Sequence, residues 1–253
     1  MTKFSDTKIK SFRNGILSLP CRFISDGLVA CSIDAGKALF GKAFKRKGKV
    51  IHNAINTETF AYNEQVRFEM QKKLGLTDSY VVGHVGNMTP QKNHMFLLDV
   101  FREVLRIKPN AKLLLIGDGY LRTQIEKKIE QLGLTQHVLL LGVKSDVFLY
   151  FNAMDAFLFP SLFEGLGIVL VEAQMNGLRC VYSDNVPLEA DCNIAHNIRL
   201  SLKSPALEWA KQICSICERE DNTKSIQQNG YDISLAVEKL IEYYNMILGD
   251  EGR

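Results

Sequence analysis

The chain has 253 residues, 46% of them hydrophobic and 23% charged. That is enough for one large α/β domain with an appendage or for two small domains, and it excludes a disordered or fibrous protein. A balance of 31 basic against 28 acidic residues leaves +3, which gives no reason to expect nucleic acid as a partner.

The chain begins with a predicted helix around Lys8 to Phe23, a strand at Leu28 to Ser32, a helix around Ala35 to Phe44 and a strand at Lys49 to Asn53. These four elements are too few for an independent domain. Lys42, Lys45, Arg46, Lys47 and Lys49 form a basic cluster, read as a solvated connector or as a patch for an anionic membrane surface. Asn53 to Phe60 is a turn-rich connector, and the domain boundary is expected beside it. No apolar run reaches the length of a membrane span, and Met1 to Asp6 carries no signal-peptide core, so a cytoplasmic location is expected.

From Tyr80 onward, strands and helices alternate. Strands are predicted at Tyr80 to Gly86, Lys112 to Ile116, His137 to Leu141, Asp155 to Pro160 and Arg179 to Ser183, with a weak one at Asn197 to Leu200. Between them fall an amphipathic helix from Lys92 to Lys108, a helix from Leu121 to Leu132, a short helix from Ser145 to Met154 and one ended by Asn176-Gly177; a final helix covers Ile233 to Leu248. Regular alternation with short Gly-capped loops predicts an α/β fold, a doubly wound parallel sheet with its site at the strand C-termini. The six cysteines Cys21, Cys31, Cys180, Cys192, Cys214 and Cys217 show no secreted-domain pattern and are expected to be reduced. Cys214-Ser215-Ile216-Cys217 has no second ligand pair, so no metal site is expected there.

Two segments carry chemistry. In Pro160 to Ala173, Glu164 stands in the turn and Glu172 about two helical turns inside the next helix, so both can face one pocket while the N–H groups of Gly165 to Ile168 meet an anion. Ile168 to Val171 make that helix start apolar nearly all round, so Glu172 calls for a polar partner. The residues also allow a plainer reading, with Glu164 a helix N-terminal carboxylate and Glu172 solvated. The second segment, Gly86 to Asn93, joins the first sheet strand to its helix, where doubly wound folds bind phosphate. Lys92 one turn into that helix suits a bound diphosphate, although a tolerated surface lysine is the alternative. No G-x-G-x-x-G, Walker or D-x-D pattern is present, so leaving-group charge falls to Lys92, helix N-termini and backbone donors. His84 and His94 read as packed or hydrogen-bonded rather than catalytic.

Val82 to Gly86 with Pro90 to His94, Leu115 to Gly119, Leu141 to Val147 and Pro160 to Glu172 occur in the order of a known family. The chain resembles the retaining, nucleotide-sugar-dependent glycosyltransferases of family four, of two-domain GT-B fold, and is most like bacterial exopolysaccharide and capsule members. The resemblance implies that Glu172 accepts hydrogen bonds from the nucleotide ribose. It further implies that Glu164, in the catalytic position, holds the donor sugar with the backbone of Gly165, Leu166 and Gly167. Lys92, with Gly86 and Asn87, would take the diphosphate, and the loop at Gly142, Val143 and Lys144 would border the base. The donor is expected to be a UDP-sugar, with no cofactor and no required metal, and the acceptor a glycan or lipid-linked species. Relatives usually carry Arg where this chain has Asn87, so one diphosphate cation is missing.

On the same resemblance, residues 1–52 are expected to be the remnant of an N-terminal acceptor domain with its linker, and residues 53–253 the nucleotide-sugar-binding domain with its C-terminal helix. Most of the acceptor half is then missing. Expected partners are a separate acceptor-domain chain or a second copy, and a peripheral contact with the inner membrane face. The alternative function is a catalytically inactive nucleotide-binding fragment or one chain of a split enzyme; a nucleotide-sugar epimerase of related fold is a third.

Overall fold

A computed structural model describes residues 19–215 and 218–250. It divides into two compact units: the residues up to Ile55 together with those from Gly230 onward, and Asn56–Asn229. The break thus lies at 55/56 rather than 52/53, and the C-terminal helix clusters with the first unit, not with the domain expected to run from 53 to 253.

In the first unit, α1 (Leu19–Ile24) precedes β1 (Leu28–Ala30), α2 (Ile33–Phe40), α3 (Lys42–Lys47) and β2 (Gly48–Val50). The helix expected to start near Lys8 falls largely outside the described residues. Ser32 caps α2 by accepting from Ala35 N at 3.1 Å. The single helix expected around 35–44 is two helices, because Gly41 takes φ 57° and returns its N–H to Lys37 O. β1 and β2 pair in parallel with Leu28 opposite Gly48, over a small core of Leu28, Ala30 and Phe44.

The second unit opens with α4 (Thr57–Phe60) and α5 (Glu64–Leu74), then β3 (Val81–Val85), a one-turn 3₁₀ segment (Pro90–Lys92), α6 (His94–Ile107), β4 (Lys112–Ile116) and α7 (Arg122–Gln131). It continues through β5 (Val138–Gly142), α8 (Val147–Ala153), β6 (Ala156–Phe159), α9 (Ile168–Met175), β7 (Arg179–Ser183), β8 (Ile198–Leu200), α10 (Ala206–Ile213) and α11 (Thr223–Gln228). The last helix, α12 (Ile233–Asp250), returns to the first unit: Ile55 N donates to Tyr231 O and Ile233 N to Ile55 O. There Tyr243 accepts from Leu28 N at 3.1 Å and donates to Lys47 O at 2.9 Å.

Six strands form one parallel sheet in the order β5-β4-β3-β6-β7-β8. The chain builds outward from β3 to β5, then crosses back to lay β6 on the other side of β3, so the topological switch lies between β3 and β6. The apolar runs behave as central parallel strands covered on both faces should: Val81, Val82, Leu113, Leu114, Leu115 and all of β6 are sealed from solvent. α6 turns Leu97, Leu98, Phe101 and Val104 inward, and α10 packs against it, with Trp209 edge-on to Phe96 at 5.5 Å between ring centroids.

Candidate functional site

The switch brings the two chemistry-bearing loops to one edge of the sheet. After β3 the chain runs from Gly86 to Thr89, and after β6 from Pro160 to Gly167, and Leu162 N donates to Gln91 O at 2.8 Å across the gap. The neighbouring loops lock in by backbone contacts: Met88 N donates to Asp118 O at 2.9 Å and Gly117 N to Gly142 O at 2.8 Å. Gly117, at φ 129°, lies so close to Gly86 that a Cβ there would stand 2.2 Å from Gly86 O. This close approach explains the Gly117-Asp118-Gly119 ending of β4.

Lys92 and Glu164 meet directly. The helix expected to run from Lys92 starts instead at His94, because Asn93 adopts a left-handed conformation (φ 54°) that separates the 3₁₀ turn from α6. Lys92 therefore leaves the helix axis. Its aliphatic stem lies over Gly86, where a Cβ would touch its Cε at 2.8 Å, and its ammonium stands 4.6 Å from the centre of the Phe159 ring. That ammonium donates to Glu164 Oε1 at 2.8 Å, while Gln91 Nε2 donates to Oε2 at 3.0 Å. The Glu164 side chain is only 6% exposed, so its charge rests on these two donors.

Glu172 is the fifth residue of α9, one turn inside and not two. Its neighbours Val169, Leu170, Val171 and Ala173 are buried. Burial pushes its carboxyl up to about 7, and no described residue pairs with it. Gly167, at φ 86°, caps α9. The N–H groups of Gly165, Leu166, Gly167 and Ile168 donate to no acceptor among the described residues, which leaves donors at a helix start.

Asn87 is exposed on the same rim. Val143, 75% exposed, and Lys144 follow the end of β5, two strands from β3; the Lys144 ammonium lies 5.9 Å from the Tyr150 ring. Gln91, the second donor to Glu164, was not expected in the site. His84 and His94 are buried, as expected of packed residues, and in addition they meet as a pair beneath Lys92, their rings edge to face at 4.9 Å. Of the C-x-x-C motif, Cys214 is a buried free thiol, and Cys217 lies outside the described residues.

Residues 66–233 match the family model described as glycosyl transferases group 1. The chain belongs to this family. Among its relatives, EpsF of Bacillus subtilis (strain 168), a glycosyltransferase by name, is 36% identical over 227 residues, covering 87% of this chain and 59% of EpsF. CapH of Staphylococcus aureus, a capsular polysaccharide biosynthesis glycosyltransferase, is 26% identical over 243 residues, covering 94% of this chain and 65% of CapH. The chain thus spans less than two thirds of either curated relative. Among solved structures, that of Anabaena HepE in complex with UDP and glucose matches with a TM-score of 0.76 over 93% of this chain and 67% of HepE. At 19% identity that likeness speaks for the fold, which is the parallel-sheet α/β fold expected of a GT-B glycosyltransferase.

Proposed function

We propose that this group 1 family member is the donor-binding portion of a retaining glycosyltransferase of polysaccharide biosynthesis, taking a sugar from a nucleotide-sugar to a glycan or lipid-linked acceptor. The carrying observation is the Lys92–Glu164 pair at the β3/β6 switch, beside Glu172 and the N–H groups of residues 165–168, none of which has a partner among the described residues. In this reading Lys92 exchanges Glu164 for the diphosphate, joined by those N–H groups and by Asn87. Glu164, released, accepts from hydroxyls of the donor sugar. Glu172 accepts from the ribose, whose hydroxyls supply the polar partner its position lacks. Val143 and Lys144 border the base.

Transfer then proceeds through an oxocarbenium-like state: the bond from the anomeric carbon to the diphosphate oxygen breaks, the acceptor hydroxyl oxygen bonds to that carbon on the same face, and the hydroxyl proton passes to the departing diphosphate. Lys92 and the backbone donors stabilise the departing charge, and no bridging metal is required. A UDP-sugar is the favoured donor; HepE, solved with UDP and glucose, supports that choice. Among the described residues no helix is long and apolar enough to cross a membrane. We place the protein in the cytoplasm, with Arg46, Lys47 and Lys49, which line a cavity of about 490 Å³ in the first unit, as the contact to an anionic membrane face.

Calorimetric titration with UDP, GDP and ADP tests the reading, which fails if none of them binds. Glu172→Ala is expected to weaken binding by about 1.5–3 kcal/mol through a lost hydrogen bond to a charged group; unchanged affinity removes the ribose role. A second reading, a nucleotide-binding subunit without transferase activity of its own, rests on Asn87, a neutral residue where the family resemblance implies Arg. Sugar transfer that appears only on mixing with a chain supplying the acceptor half distinguishes the two.

A further inference from the structure

The buried histidine pair beneath the anion-binding turn has no role in the reading above. His84 projects from the middle of β3 and is fully buried; His94 is the first residue of α6 and 2% exposed. His84 Nδ1 lies 2.9 Å from Leu158 O, and since a carbonyl only accepts, Nδ1 carries the proton. Its Nε2 is left as a buried lone pair, and His94 Nδ1 is likewise buried, neither with a partner among the described residues. Two orphaned ring nitrogens on adjacent rings are a costly way to fill a core that Phe or Leu would fill without orphans.

Their surroundings show what they support. His84 stacks on Phe157 (6.2 Å, 6° between planes) and packs against Phe159 at 6.0 Å, and Phe159 is the ring under the Lys92 ammonium. His94 follows Lys92 by two residues, through the left-handed Asn93. The pair thus touches both the chain that carries Lys92 and the ring on which its charge rests. We propose that His84 and His94 are positioning residues that seat the Lys92 turn, fixing where its ammonium stands at the end of β3. Both rings are held neutral. Burial comes first, and the charged or titratable groups that act on them are Lys92 and, for His84, His94; His94 is pushed down to about 4. A neutral floor leaves the Lys92 charge free to face an anion.

This inference rests on Lys92 binding a diphosphate only in the second of its two tests. The first, nitrogen-15 NMR of the imidazoles in the ligand-free chain, is expected to show His84 as the neutral Nδ1–H tautomer between about pH 5 and 8. It is expected to show His94 titrating near 4, with the midpoint rising in Lys92→Met. A midpoint unmoved by Lys92→Met overturns the proposal. In the second, His84→Phe and His94→Phe are expected to lower affinity for whichever of UDP, GDP or ADP binds by about tenfold, the scale of one misplaced charge-assisted hydrogen bond. Affinity for the matching nucleoside stays unchanged and His94→Gln retains most diphosphate binding. An equal loss for nucleoside and diphosphate marks a general disturbance and overturns seating. If the unaltered chain binds none of the three, the donor-site reading falls, and the NMR result alone decides whether the pair seats Lys92.

Discussion

The two ends of β6 carry charged clusters that differ in how completely their charges are answered. Before the strand, Arg67 pairs with Asp155 at 2.6 Å and donates to Met154 O and Asn152 O, while Asp155 turns its other oxygen to Val81 N at 2.7 Å. Arg219 adds bonds to Asn176 O, Asn152 O and Met154 O and lies over the Tyr62 ring. Burial, with Arg67 alongside, pushes it down to about 10, still a cation at neutral pH. After the strand, Lys92 and Glu164 hold each other with one added donor from Gln91, and Glu172 has no partner among the described residues. Charges tied to fixed backbone carbonyls brace the fold; charges tied only to other side chains can trade partners, which is what binding an anionic ligand requires.

This contrast can be broken at either end. Arg219→Met strands several carbonyls and is expected to cost about 3–5 kcal/mol in urea unfolding, with nucleotide affinity of the folded chain unchanged. A loss below about 1 kcal/mol would put this cluster in the same exchangeable class as the other. Glu172 gives the next largest effect. Its folded carboxyl titrates near 7 against an ordinary 4.5, so the folded state binds the proton more tightly. The stability this contributes is complete below pH 4.5 and is lost as pH rises through 7, on the order of 3 kcal/mol in all. Glu172→Gln should flatten that slope in stability measured against pH; an unchanged slope assigns it to another group.

Lys92→Met should lower diphosphate affinity by about 1.5–3 kcal/mol while reducing stability by less than Arg219→Met does, as calorimetry and urea unfolding together can check. The smallest effects come from glycines. Gly117→Ala, which sets a Cβ against Gly86 O, should cost about 1–3 kcal/mol. Gly165→Ala meets nothing within 4 Å and should leave stability within about 0.5 kcal/mol. If both variants unfold alike in urea, the loop after β4 is not the brace that its packing describes.

Much of this was legible in the sequence where burial dictates pattern. Lys112 to Ile116 and Arg179 to Ser183 are strands as read, because central parallel strands are apolar without interruption. Glu164, Lys92 and Glu172 could be placed near one edge because strand ends and helix starts fix them. α5, with the polar stretch Glu64 to Leu74, was not read because it shows little amphipathic signal. α4 hid in a connector, where Asn56 caps it by accepting from Thr59 N. The Lys92–Glu164 contact depends on the left-handed Asn93, a backbone choice that spacing does not reveal. Gln91 and the histidine pair join the site through contacts between residues far apart in sequence, which no local pattern encodes.

The junction between β3 and β6 is also the thinnest seam of the sheet. β3 is in register with β4 from Val81 through Val85, but with β6 only at Val82 and Gly83. Beyond Gly83 the backbone ladder between the two strands stops, and side-chain and loop contacts take over: His84 Nδ1 donates to Leu158 O, Leu162 N donates to Gln91 O, and Lys92 pairs with Glu164. A ligand seated there acts as a stitch across a fabric already divided. Its arrival should be felt along the whole seam, as slower amide hydrogen exchange at His84, Val85, Leu158 and Phe159.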